Sequence, residues 1–422
     1  MEIDALYELY KQHPSVVTDT RKIKKGDIFF ALKGPSYNGN EYAQQAVDLG
    51  ASFAVVDEPI YTGNNLLLVD DVLKTLQLLA KKHRSNFTIP FIAITGSNGK
   101  TTTKELVHAV LSTQYATSTT LGNLNNHIGI PLTILAIQPG TEIAVIEMGA
   151  NHLKEIEGYC TYADPSHGLI TNIGKAHIEG FGSEEGVKKG KGELFQHLKE
   201  SGGTAFVFSD QPALVDLSKG IANIISYGTK DTDVVGKAIS TNFHLEVLME
   251  DDLVIKTQLT GDYNLPNVLA AVTIGRFFKI SDAKIKSAIE LYSPTNSRSQ
   301  LVEADGNKII MDAYNANPSS MKAAIENFAG LPGDNKILIL GGMAEMGANS
   351  IEEHTSVIKL INQYKWKQVV LVGKDYIDLP EGFLHFESST AAATWYKNQN
   401  FTDSSILLKG SRNLQMEKVL QG

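Results

Sequence analysis

Cysteine is nearly absent from this 422-residue chain. Cys160 is the single one, so no internal disulfide can form, which suits a reducing compartment. No apolar run approaches the ~20 residues that a membrane-spanning helix requires. The first residues, Met1-Glu2-Ile3-Asp4-Ala5, lack the basic stretch and apolar core of a signal peptide. Basic charge is also in deficit: 38 Lys and Arg stand against 47 Asp and Glu, a formal net charge of −9. That balance argues against a general nucleic-acid binder, which presents a basic face. Repeats of solenoid length and low-complexity tracts are missing too. These absences predict a soluble cytoplasmic protein with no nucleic-acid partner and no membrane insertion. With 42% hydrophobic and 20% charged residues the composition is that of an ordinary globular chain, and the length predicts two or three domains.

The most informative segment present is Ile94-Thr95-Gly96-Ser97-Asn98-Gly99-Lys100-Thr101-Thr102-Thr103. The run Ile89-Pro90-Phe91-Ile92-Ala93-Ile94 before it reads as a buried parallel strand. After it, Leu106, Val107, Val110 and Leu111 share one face of a helix. Glycines between a strand and a helix let backbone N–H groups approach an anion at the helix N-terminus. Lys100 can reach the outer phosphates of a nucleotide, and the Thr101 hydroxyl can ligate Mg²⁺. Ile94 stands where the general P-loop pattern has its first glycine, so this loop is short. A plain turn before a capped helix is the alternative, and the flanking strand and helix weigh against it.

The chain divides into three α/β segments. Residues 1–84 carry short strands at 28–32, 53–56 and 66–69 and helices at 42–49 and from Val72 to about His83. Residues 85–296 alternate strands at 89–95, 143–148, 168–173 and 204–208 with helices, the pattern of a mostly parallel P-loop ATPase-type sheet. Alternation at 234–260 around Met249-Glu250-Asp251-Asp252 predicts an antiparallel hairpin, followed by a helix over 266–278. Loop formers at Ser293-Pro294-Thr295-Asn296-Ser297 mark the second boundary. Residues 297–422 restart the rhythm, with strands at 308–311, 337–340, 369–372 and 406–408. This last segment resembles a small dinucleotide-fold sheet without the G-x-G-x-x-G fingerprint, so NAD is not inferred.

Several polar residues sit where such sheets place ligands. Glu147 ends an apolar strand, a natural position for holding Mg²⁺ beside a P-loop, or else a solvated strand end. Asn172, Gly174, His177 and Glu179 follow the next strand; a lone histidine is otherwise more often structural. Lys188, Lys189 and Lys191 would by default be a solvated basic face. Asn123, Asn125, Asn126 and His127 are substrate-binding candidates or turn formers. Asp312-Ala313-Tyr314-Asn315-Ala316-Asn317-Pro318 and Lys409-Gly410-Ser411-Arg412 also follow strands.

Taken together, these segments resemble the Mur ligases, ATP-dependent amide-forming enzymes of peptidoglycan assembly. The short P-loop, Glu147, Asn172 to His177, Lys191-Gly192-Glu193 and Asn264-Leu265-Pro266-Asn267 carry the resemblance, which spans the whole chain in three-domain order. The stretch from Thr18 to Gly34 is of a kind shared by two branches of that family. Asp312 to Pro318 and Gly341-Gly342-Met343-Ala344-Glu345-Met346-Gly347 look like the members that add a dipeptide, and the Asp-Asn-Pro-Arg motif of diaminopimelate-adding members is absent. Ala313 and Gly342 depart from a frequent Ser and a frequent Asp.

The resemblance implies ATP held by Gly96, Ser97, Asn98, Gly99, Lys100, Thr101 and Thr102. It places Asn264 and Asn267 at the adenine and has Arg298 and Asp312 closing over the nucleotide. It implies two Mg²⁺ ions on Thr101, Glu147, His177 and a CO₂-derived carbamate of Lys191. Carbon dioxide adds only to a neutral amine, so that lysine must have a lowered pKa. Lys100, Lys191, His177 and Glu147 are then the catalytic set. Substrate positions fall on Thr20, Arg21, Lys33, Asn125, Asn126, Asn315, Asn317, Lys409, Ser411 and Arg412. The implied reaction joins D-alanyl-D-alanine to UDP-N-acetylmuramoyl-tripeptide, in a monomer whose residues 298–422 close over the ATPase domain. The alternatives are a third-residue-adding ligase or folylpolyglutamate synthase, or a nucleotide-binding regulator without turnover.

Overall fold

The computed structural model describes residues 1–240, 242–295 and 297–421. Among them the strands form a four-stranded, a nine-stranded and a six-stranded sheet and a two-stranded ribbon. Mostly parallel sheets wound by helices are what the sequence predicts. The wholly buried strand Phe91–Thr95 organises the largest sheet. It lies between the parallel strands His167–Ile170 and Ile143–Glu147, with Ile94 in register with both Leu169 and Glu147. The chain order reverses at this strand, and open α/β sheets bind ligands beyond the strand carboxyl ends at such a point. The helix Lys100–Leu111 buries Leu106, Val107, Val110 and Leu111 in the core shared with the helix Leu265–Phe277. Each such side chain contributes about 2 kcal/mol of hydrophobic stabilisation.

Two strands of this sheet, Thr117–Thr119 and Asn223–Gly228, have no counterpart in the sequence prediction. The first is wholly polar and leaves no hydrophobic pattern; the second carries only the short apolar signal of Ile224, Ile225 and Tyr227 and is exposed at its start. The expected hairpin is part of a three-stranded antiparallel meander, Val234–Ala238, His244–Met249 and Val254–Thr260. Its first strand joins Asn223–Gly228 in parallel.

The N-terminal sheet is parallel throughout, with Val16–Val17, Ile28–Phe30, Phe53–Val56 and Leu66–Leu68 side by side. The helix Ile3–Gln12, absent from the sequence prediction, packs with Val72–Arg84 against the central unit. One apolar core runs from Leu6, Leu76 and Leu79 to Phe91 and Ile146, across the boundary expected at 84/85. Arg84 pins this junction, donating from Nε to the Ala163 carbonyl at 2.9 Å with its guanidinium 3.8 Å from the Phe91 ring centre. The boundary expected at 296/297 falls at Asn296, outside the described residues. In the C-terminal sheet, Asn307–Asp312, Ser405–Lys409, Lys336–Gly341 and Gln368–Val372 run parallel, with Phe383–Phe386 at one edge. The antiparallel strand Gln300–Ala304 closes the other edge.

His167 offers a test of packing beneath the large sheet. It stacks on Phe206 with ring centres 6.2 Å apart and meets Phe277 edge-on at 5.4 Å. Burial pushes its imidazole down from 6.5 to about 4, so the fold holds the neutral ring. This contribution is complete above the unfolded value and is lost as the pH falls through that value towards about 4. It amounts to about 3 kcal/mol. His167→Phe should remove this acid sensitivity, read as urea midpoints at roughly pH 7.5 and pH 4.5. Equal acid losses in both proteins would refute it.

Candidate active site

The loop after Phe91–Thr95 is built for close backbone approach. Gly96 has φ +140°, and a Cβ there would lie 2.0 Å from Thr171 Oγ1. Gly99 has φ +79°, and a Cβ would lie 2.6 Å from Asn267 Oδ1. Asn98 N donates to Asn172 Oδ1 at 3.0 Å, and Asn172 Nδ2 returns a bond to the Asn98 carbonyl at 3.1 Å. Ser97 Oγ is bonded to Gly174, so the loops after two neighbouring strands are stitched together. Lys100 Nζ donates to the Gly96 carbonyl at 2.8 Å. Burial lowers its pKa, with Glu147 opposing that effect and Arg298 adding to it.

Glu147 arrives beside this loop because of its register with Ile94. Its Oε1 accepts from Thr101 Oγ1 at 3.1 Å and from Asn125 Nδ2 at 2.7 Å. Its Oε2 is buried and has no hydrogen-bond partner among the described residues. Lys191, from the helix Glu184–Ser201, is fully buried and donates to the Ala150 carbonyl at 2.6 Å. Burial, reinforced by the charge of Lys100, holds its ammonium well below the usual lysine range. A basic face in solvent is therefore the wrong description of this lysine. Lys188, by contrast, pairs with Asp216 on the outside. His177 takes a left-handed backbone, and its Nδ1 is bonded to the Glu345 carboxylate of the C-terminal unit.

A cavity of about 580 Å³ lies beyond this sheet edge, with walls from both the central and the C-terminal units. Ser97 to Thr102, Asn125, Asn126, Glu147, His177, Asn264 and Asn267 line one side. Arg298, Asp312, Asn315, Asn317 and Lys409 line the other. Asn267 accepts from Thr103 Oγ1 and donates to Asn264 Oδ1, which fixes both asparagines against the P-loop helix. Asp312 and Lys409 are paired by strand register and joined by a 2.6 Å ion pair, with the lysine buried. Arg298 lies over the Tyr314 ring at 3.6 Å. Asn317 caps the helix Pro318–Gly330 and reaches Asn98 Oδ1 at 2.8 Å.

Not every sequence candidate meets here. Lys191 sits behind the wall at Ala150, and Ser411 and Arg412 are off it, though Arg412 stands 5.7 Å from the Tyr314 ring centre. Thr20, Arg21 and Lys33 belong to the N-terminal unit, where Arg21 pairs with Asp19 and Lys33 with Asp57. Lining residues that the sequence did not single out include Glu155, Tyr159, Tyr263 and Ser319. Ser319 Oγ accepts from Lys175 N at 2.8 Å, and its place just after Asn317-Pro318, a helix-start signal, was the available clue.

A P-loop facing a second α/β unit across one cavity defines a nucleotide-dependent phosphoryl-transfer enzyme. The Mur ligase middle domain matches residues 94–275, and the Mur ligase, glutamate ligase domain matches residues 297–412. The chain is 35% identical to the UDP-N-acetylmuramoyl-tripeptide–D-alanyl-D-alanine ligase of Bacillus subtilis, over 96% of this chain and 92% of that protein. A crystal structure of MurF from Acinetobacter baumannii superposes with TM-score 0.88 at 29% identity, covering 96% of this chain and 92% of that one. MurF from Thermotoga maritima, in complex with ADP, gives TM-score 0.86 at 26% identity, covering 96% of each chain. The chain belongs to the Mur ligase family. It is an ATP-dependent peptide ligase.

Gly99→Ala tests the loop. A methyl group at a left-handed position and against Asn267 should cost about 2 kcal/mol of stability. ADP affinity by calorimetry should fall at least roughly tenfold, since 1.4 kcal/mol is a factor of ten. Unchanged ADP binding would rule out close phosphate approach at this glycine.

Proposed function

We infer that the chain joins D-alanyl-D-alanine to UDP-N-acetylmuramoyl-tripeptide, giving UDP-N-acetylmuramoyl-pentapeptide, ADP and phosphate. One observation carries the chemistry: the Gly96–Thr101 loop and the Asp312–Asn317 segment face each other across a single cavity. A phosphoryl donor on one wall and an amine delivered from the other can therefore meet one carboxylate. Identity at 35% over nearly the whole chain favours this branch over the third-residue-adding ligases and folylpolyglutamate synthase.

A peptide carboxylate is a poor electrophile, and ATP activates it as an acyl phosphate. Lys100, aided by Arg298 from the opposite wall, offsets charge on the transferring phosphoryl group. The dipeptide amine attacks the acyl carbon, and phosphate leaves from the tetrahedral intermediate. Acyl phosphates hydrolyse, so the C-terminal wall also serves to keep water out. Asn98–Asn317 and Lys175–Glu353 hold that wall against the P-loop.

The residues fit Mg²⁺ at one place. An unpaired buried carboxylate oxygen on Glu147, beside the Thr101 hydroxyl, is a hard anionic donor with nothing else to satisfy it. Among the described residues no three His, Cys, Asp or Glu side chains cluster to hold a metal, so phosphate oxygens would complete the shell. A bound Mg²⁺ supplies charge neutralisation at the phosphates. His177 and a carbamate on Lys191 are the candidates for a second ion, and the lowered pKa of Lys191 supports the carbamate. Asn264 and Asn267 are assigned to the adenine. Thr20, Arg21 and Lys33 are assigned to the UDP moiety, and Asn125 and Asn126 to the peptide. Asn315, Asn317 and Lys409 are assigned to the incoming dipeptide, whereas Ser411 and Arg412 follow Lys409 outside the cavity. Both cavity walls come from one chain, consistent with a monomer, and nucleotide substrates are consistent with a reaction in the cytoplasm. No helix among the described residues is long and apolar enough to cross a membrane.

Purified protein with ATP, Mg²⁺, UDP-muramoyl-tripeptide and D-alanyl-D-alanine should release ADP and form the pentapeptide by mass spectrometry. Release with free lysine instead would move the chain to another branch. Lys191→Ala should lower turnover at least roughly a hundredfold, as loss of an electrostatic group does. Acetate should restore part of it, and no restoration would count against the carbamate.

A further inference from the structure

We propose that Glu345 is a positioning residue of the ligase reaction, setting the His177 ring from across the boundary between the central and C-terminal units. The inference rests on the ligase function above and gives a role to the Gly341–Gly347 stretch, which that function leaves unassigned. His177 lines the cavity, and its Nδ1 is bonded to Glu345 Oε2. An ionised carboxylate only accepts, so the hydrogen of this bond sits on Nδ1. A carboxylate behind one ring nitrogen is the arrangement that fixes tautomer and orientation when the other nitrogen has work to do.

The backbone supports a built contact rather than a chance meeting of surface side chains. His177 has φ 54° and Glu345 φ 61°, so a non-glycine residue sits in the left-handed region on each side. Such conformations cost about 1 kcal/mol or more each and persist where surrounding structure enforces them. Here the enforcement is visible. Gly347 packs on Glu179, where an added Cβ would lie 3.5 Å from the glutamate Cβ. Lys175, two residues before His177, pairs with Glu353 at 2.9 Å. The ring is thus oriented only when the C-terminal unit is seated, which ties its placement to closure of the cavity.

Glu345→Ala should lower kcat 10- to 100-fold, the usual cost of losing such a partner, with KM for ATP and muropeptide changed by less than about threefold. Glu345→Gln, whose amide oxygen accepts the same bond, should recover most of the loss. A second readout does not need turnover: ¹⁵N spectra of the histidine rings with ADP and no divalent ion, His177 being assigned by its loss in His177→Asn. Wild type should show hydrogen held on Nδ1 of His177, and Glu345→Ala should lose that preference. No hydrogen preference for Nδ1 of His177 in the wild type, or an unchanged kcat in Glu345→Ala, overturns the proposal. Failure of the wild type to make pentapeptide would instead overturn the ligase reading, leaving the ring spectrum as a separate fact.

Discussion

The structure depends on one unsatisfied charge. Glu147 is carried into the sheet edge by an apolar strand, and only one of its two oxygens is answered by protein. Burying a carboxylate oxygen without a partner is expensive, and folding does not remove that cost. Its neighbours explain why the cost is tolerated. Thr101, Asn125 and the Gly96–Gly99 loop gather around it with donors and open backbone, leaving a place that a cation bound to phosphate would complete. Burial governs the nearby lysines, and the Glu147 charge only opposes it at Lys100. Lys100 and Lys191 are both held below the ordinary lysine range, chiefly by burial, and Lys191 further by the charge of Lys100.

Around that centre the sheets act as registers. Pairing of Ile94 with Glu147 and Leu169 brings three strand ends to one edge. Pairing of Asp312 with Lys409 does the same in the C-terminal sheet, so its candidate residues arrive together although about a hundred residues separate them. The two edges then meet through Asn98–Asn317, Lys175–Glu353 and His177–Glu345. A reactive acyl phosphate needs such an enclosure, because neither edge alone excludes water.

How much was legible follows from how local each signal is. The strand, short glycine loop and helix at 91–111 announce themselves, because periodicity and glycine spacing are properties of neighbours in the chain. Thr117–Thr119 and Asn223–Gly228 do not, since a polar or half-exposed strand is held by its partners rather than by its own pattern. Nor does the packing of Ile3–Gln12 onto the central unit, which hides the division at 84/85 inside one continuous core. Lys191 is the sharpest case. Within its basic cluster it reads as solvated, and only resemblance set it apart, whereas the fold buries it completely.

Sequence alone determined the α/β class, the phosphate loop and the chemical types that surround it, because those reside in contiguous residues and their spacing. Tertiary structure decided which side chains share a cavity, which of them lose water, and which are answered across the boundary between units. The physical reason is range. Backbone geometry and hydrophobic period act over a few residues, while desolvation, strand register and the seating of Glu345 against His177 depend on atoms that only the folded chain brings together.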